Sequence, residues 1–121
     1  NKKGQVKIMQ AIFLVIKQIE LVDSIMNALA EAGIRGATAC DSEGMASSIA
    51  RTENNVALVQ LLRGILSGED ASHKSKTLFI IVKDEQVEDV KKAITSVTGD
   101  LSKPNAGIMF GVPVSFAEGI S

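Results

Sequence analysis

A chain of 121 residues with 45% apolar side chains can bury one hydrophobic core and is too apolar to stay disordered. Thirteen Lys and Arg against fourteen Asp and Glu, with 3% aromatics and neither Trp nor Tyr, exclude the basic footprint and stacking platforms of a nucleic-acid binder. A single cysteine forms no internal disulfide, and the longest apolar run, Ala11 to Ile16, is far below the roughly 20 residues of a bilayer span, so a cytoplasmic, non-membrane-spanning protein is expected.

The first predicted element is a strand over Val6 to Ile16, whose continuous apolar half, Ala11-Ile12-Phe13-Leu14-Val15-Ile16, suits a central strand covered on both faces. A polar turn leads into a helix over Leu21 to Ala32, with Glu20 and Asp23 near its positive end. Gly33 supplies the left-handed residue that ends helices cheaply, and Arg35 to Asp41 reads as the second strand. Ser42-Glu43-Gly44 breaks it and opens a long insertion over Ser42 to Lys76, of a length that is uncommon inside a compact domain and usually functional. Within it, Val56, Leu58, Val59, Leu61, Leu62, Ile65 and Leu66 fall on one side of a short helix. That stripe has two readings: packing in the core or between subunits, or docking on a partner with Arg63 on its polar edge. A third strand over Thr77 to Lys83 follows, then Asp84 as N-cap and a second helix over Glu85 to Thr98, with Val87, Val90, Ile94 and Val97 on one face. Gly99 ends it. The turn-rich loop Asp100 to Ala106 precedes a fourth strand over Gly107 to Val114 and a short tail.

The order strand, helix, strand, insertion, strand, helix, strand predicts a single α+β domain over residues 1–121, a ferredoxin-like βαββαβ sandwich. Its antiparallel four-stranded sheet carries both helices on one face. Strands apolar on both sides leave the other face in need of cover, which a dimer or trimer supplies.

Little in the sequence points to catalysis. Cys40, on a predicted strand, reads as a small core hydrophobe, and His73, in a polar stretch, as a solvated residue. One Cys and one His, with Asp41 and Glu43 scattered nearby, do not supply the three or four ligands of a metal site. Two stretches could meet a ligand through backbone amides: Gly36-Ala37-Thr38, where small residues open the second strand, and the Lys103 to Gly107 loop, where a cation stands among turn residues. Each is equally served by a packing or turn role.

At Ala28 to Thr38, reading ALAEAGIRGAT, the chain resembles the helix–strand junction of the nitrogen regulatory P-II signalling proteins. Gly44-Met45 stands where that family has a glycine-aromatic pair at the base of its T-loop, and the insertion occupies the T-loop position. Thr98-Gly99 and Gly107-Ile108-Met109-Phe110 flank the B-loop position, and Val112-Pro113-Val114 is similar to the strand after it. The resemblance implies a non-enzymatic homotrimer that senses a small anionic effector, an adenine nucleotide such as ATP, ADP or AMP, in clefts between subunits. It places Gly36, Ala37 and Thr38 near the adenine, Gly44 at the cleft edge, and Gly99, Lys103, Asn105 and Gly107 at the phosphates. It also implies that residues 42–76 dock on a membrane transporter or metabolic enzyme, through Leu58, Leu62, Arg63 and Ile65. Ala46-Ser47 replaces the family's T-loop arginine, and the tail SFAEGIS lacks its arginine pair, which marks a divergent branch. The alternative is a CutA-like trimer or a small ferredoxin-like binding protein that senses no nucleotide.

Overall fold

The structure is a computed structural model that describes residues 8–45, 48–49, 75–104 and 106–120. Strands β1 (Met9–Ile16), β2 (Thr38–Ser42), β3 (Ser75–Lys83) and β4 (Ile108–Val114) form one antiparallel sheet in the order β2-β3-β1-β4. Helix α1 (Val22–Glu31) links β1 to β2, and helix α2 (Val87–Thr98) links β3 to β4, each entered through a single 3-10 turn. This is the ferredoxin-like arrangement expected from the order of elements.

Both helices lie on one face of the sheet because each carries one apolar stripe. Ile25 and Leu29 of α1 and Val90 and Ile94 of α2 pack on Ile12, Leu14 and Ile16 of β1 and Leu78, Ile80 and Val82 of β3. Period-2 alternation sends these strand residues to the helix side, where each is at most 3% exposed. Burying a side chain of this kind stabilises by about 1.5–3 kcal/mol, so these two strands and two helices anchor the domain.

The residues between them face the other way. Phe13 stands opposite Phe79 on β3 and Phe110 on β4, with ring centroids 6.3 and 5.1 Å apart. Ala11, Ile81 and Val112 form the next row. This face is apolar but open: Phe110 is 48% exposed and Ile108 64%. Among the described residues, β1 is therefore covered on one face only, where its apolar run suggested two.

The first helix ends as expected. Gly33 takes φ 87°, its N–H donates to the Ala30 carbonyl, and the Ile34 N–H reaches back to the Leu29 carbonyl, both at 3.0 Å. These are the paired bonds of a Schellman cap, and buried Ile34 supplies its apolar contact. Ile34 thus belongs to the helix end, and β2 begins at Thr38, later than the expected Arg35. β2 extends to Ser42 and β3 starts at Ser75, so both ends of the expected insertion are sheet. Asp84 is not an N-cap. Gln86 Oε1 instead accepts the Lys83 N–H at 2.9 Å, while Asp84 N–H donates to the Ile8 carbonyl and its carboxylate accepts from Gln10 Nε2. Val6 and the Val56 to Leu66 stripe lie outside the described residues.

Candidate functional site

The residues singled out in the sequence fall into two groups, one on each edge of the sheet. Gly36, Ala37 and Thr38 lead into β2, one edge strand, and Gly44 follows it. Gly99, Lys103 and Gly107 lie between α2 and β4, the opposite edge strand. Gly107 sits beside Ile16, and in the same row across β1 and β3 stand Lys76 and Asp41. Three strand spacings separate the two edges, roughly 14 Å. Gly44 and the Gly99–Gly107 loop share the end of the sheet where β1 finishes. One chain therefore puts Gly44 and the Gly99–Gly107 loop at the same level on opposite flanks, with Thr38 farther along in the row of Phe13 and Phe79, and does not bring the two groups together. Asn105, Leu58, Leu62, Arg63 and Ile65 lie outside the described residues, as does His73.

Each group has its own local physics. Gly36 and Gly44 have nothing within 4 Å of where a Cβ would stand, so no packing contact demands glycine at either. Gly44 accepts the Ser48 N–H at 2.9 Å, which starts a helical turn directly after β2. Gly107 is constrained on two counts: φ is 125°, and a Cβ would lie 2.7 Å from the Val15 carbonyl oxygen. The chain passes so close to the end of β1 there that only glycine fits.

The loop between Gly99 and Gly107 is shaped by Asp100, whose carboxylate accepts the Ser102 N–H at 2.9 Å. That backbone bond, reinforced by the Ser102 hydroxyl, holds the Asp100 carboxyl below its ordinary pKa. Backbone bonds from Lys103 N–H to the Asp100 carbonyl and from Ala106 N–H to the Lys103 carbonyl complete the turn and leave the Lys103 side chain exposed. A free-standing ammonium on a tight turn suits an anion.

The base of the insertion carries polar contacts that the sequence reading overlooked. Asp41 and Lys76 pair across β2 and β3, with Nζ 2.5 Å from Oδ1. Ser42, Ser75 and Thr77 join their hydroxyls on the open face of the sheet. Cys40 is exposed there with its Sγ 3.6 Å from the Thr77 carbonyl, not buried in the core as expected, because the register with β3 turns its side chain to the open face while its neighbour Ala39 faces the helices. Among the described residues there is no group of three or more His, Cys, Asp or Glu able to hold a metal, and no helix is long and apolar enough to cross a membrane.

No curated protein matches the sequence. Among solved structures, that of PII from Arabidopsis thaliana bound to citrate is similar in fold, with a TM-score of 0.60 over 94% of this chain and 83% of that one at 23% identity. The family model for nitrogen regulatory protein P-II matches residues 9–121, so the chain belongs to the nitrogen regulatory protein P-II family.

Proposed function

We propose that this PII-like signalling protein works as a homotrimer that senses a small anionic effector between subunits and passes the state of that site to a partner through the segment after β2. The observation that carries the reading is the division of the candidate residues between the two edges of the sheet. Gly36, Ala37, Thr38 and Gly44 on one flank and Gly99, Lys103 and Gly107 on the other form a closed site only when one chain's β2 edge faces another chain's β4 edge, with Asn105 assigned to the second group by its place in the sequence. The open apolar face built on Phe13, Phe79 and Phe110 supplies a reason for copies to associate.

The roles follow from the chemistry of each group. Backbone amides around Gly36 to Thr38 line an adenine-sized slot. Lys103 supplies one positive charge, and the amides of the Gly99 to Gly107 turn supply donors for phosphate or carboxylate oxygens. An effector bound across two chains ties one subunit's loop to the other's β2, and so shifts the population of the segment that starts at Ser42. Leu58, Leu62, Arg63 and Ile65 then act as its docking surface for a transporter or metabolic enzyme. The setting is cytoplasmic, and the action is regulatory, with no bond made or broken by the protein.

The test is calorimetric titration of the full chain with ATP, ADP, AMP, 2-oxoglutarate and citrate, the last because the Arabidopsis neighbour was solved with it. Binding of a nucleotide that is lost in Lys103→Ala supports the cleft reading. Silence towards every one of these anions overturns it and favours a fold relative that senses no nucleotide. Native mass spectrometry decides the trimer separately.

A further inference from the structure

The insertion-side end of β2 is held to β3 by polar contacts on both faces of the sheet. On the helix face Asp41 pairs with Lys76 in register. On the open face, Ser42 Oγ and Ser75 Oγ stand 2.7 Å apart and Thr77 Oγ1 donates to Ser42 Oγ at 2.9 Å. Ser75 is buried, and its hydroxyl is satisfied through Ser42. No residue of β2 is itself buried.

We infer that this cluster is a two-sided polar latch, which lets β2 leave β3 as a unit while the apolar remainder of the sheet stays closed. Exposed ion pairs and neutral hydroxyl bonds are net-weak, because water offers both partners equivalent contacts once they part. Buried apolar contacts such as Leu14 on Leu78 have no such alternative. The latch is also cooperative, since Ser42 holds two of the hydroxyls and losing it frees both. β2 begins at Thr38 and runs at Ser42 into the segment after it, so opening the latch displaces both together. An effector that grips Thr38 would hold the latch shut, and this consequence rests on the effector reading above. The latch itself does not.

Amide hydrogen exchange on the full chain, without any effector, is the test. In Ser42→Ala the β2 amides bonded to β3 are expected to exchange roughly 10-fold faster, the effect of leaving the buried Ser75 hydroxyl and the part-buried Thr77 hydroxyl without their shared partner. The amides of Ile12, Leu14, Ile80 and Ile94 keep the wild-type rate. Unchanged β2 amides, or equal acceleration throughout the sheet, overturns the latch. Asp41→Asn is nearly isosteric and exposed, and decides the matter should Ser42→Ala not fold. Added salt is expected to speed β2 exchange in the wild type and not in this variant. A salt response that survives Asp41→Asn overturns the proposal. If the latch passes and the calorimetric titration fails, only the link to Thr38 falls.

Discussion

β3 has two neighbours, and they hold it by different means. Towards β1, Leu78 and Ile80 face Leu14 and Ile12, and all four are at most 3% exposed. Towards β2, Lys76 faces Asp41 and Ser75 faces Ser42, and β2 contributes no buried side chain. One strand is thus scaffold along one edge and fastening along the other. The apolar side fixes where the ends of the sheet lie. The polar side is where the chain departs for the inserted segment, and local opening there need not disturb the core.

The largest effect is expected from attacking the scaffold side. Leu14→Ala should cost about 2–5 kcal/mol, read from the urea midpoint, because a fully buried side chain leaves a cavity between the sheet and both helices. The matching change on the other side, Ala39→Gly opposite Leu78, should cost about 1 kcal/mol or less. Equal losses would mean that β2 is as much part of the core as β1 and would erase the contrast.

Next in size is a pair of glycines. Gly107→Ala forces a Cβ to within 2.7 Å of the Val15 carbonyl at a φ of 125°, and should cost roughly 2–4 kcal/mol through strain and displacement of β4 from β1. Gly36→Ala meets open space and has no positive φ, so its midpoint should stay within about 0.5 kcal/mol of wild type. Of these two among the four candidate site glycines, Gly107 is thus held by the fold, whereas Gly36 is free to answer to a ligand. An effector affinity that falls in Gly36→Ala at unchanged stability would sharpen that division.

The open face yields a prediction on assembly. Phe110→Asp places a carboxylate against Phe13, 5.1 Å away, on a face half open to water. A monomer should tolerate it with a modest loss of stability. An assembly closed over this face should dissociate, read as a fall in mass by native mass spectrometry. Retention of the wild-type mass would move the subunit contact elsewhere.

This contrast also explains what could be read from the residues. The alternation in Ile12, Leu14, Ile16 and in Leu78, Ile80, Val82, and the glycines that end both helices, are local signals strong enough to give the order of elements. The start of β2 is less legible: Arg35 to Ala37 follow a helix cap that claims Ile34, and pairing with β3 begins only at Thr38. Cys40 lies on the open face, and an apolar-looking position on a strand does not say which face of the sheet a helix covers. The candidate site was legible as two stretches but not as two edges, since the β2-β3-β1-β4 order depends on pairings far apart in the chain. The hydroxyl group of Ser42, Ser75 and Thr77 has no sequence signature, because its members meet only once β2 and β3 are in register.

The smallest expected effect lies on the far edge, in the turn that presents Lys103. Asp100 is held below its ordinary pKa by the Ser102 N–H and hydroxyl, so the folded form binds its proton less readily than the unfolded chain does. The contribution is therefore fully present above the unfolded carboxylate value of about 4 and is lost as pH falls through the depressed folded value. Asp100→Asn keeps an oxygen for the Ser102 N–H but removes the charge. Wild type should exceed it slightly in urea midpoint at pH 7, and the difference should shrink to nothing in acid. The same variant should leave β2 exchange untouched within one chain, because the Asp41–Lys76 pair and the hydroxyl contacts lie on the opposite edge of the sheet from this turn. A change in β2 exchange would mean that the two edges communicate, either through the sheet of one chain or across the subunit contact proposed above, and repeating the measurement in Phe110→Asp would separate the two.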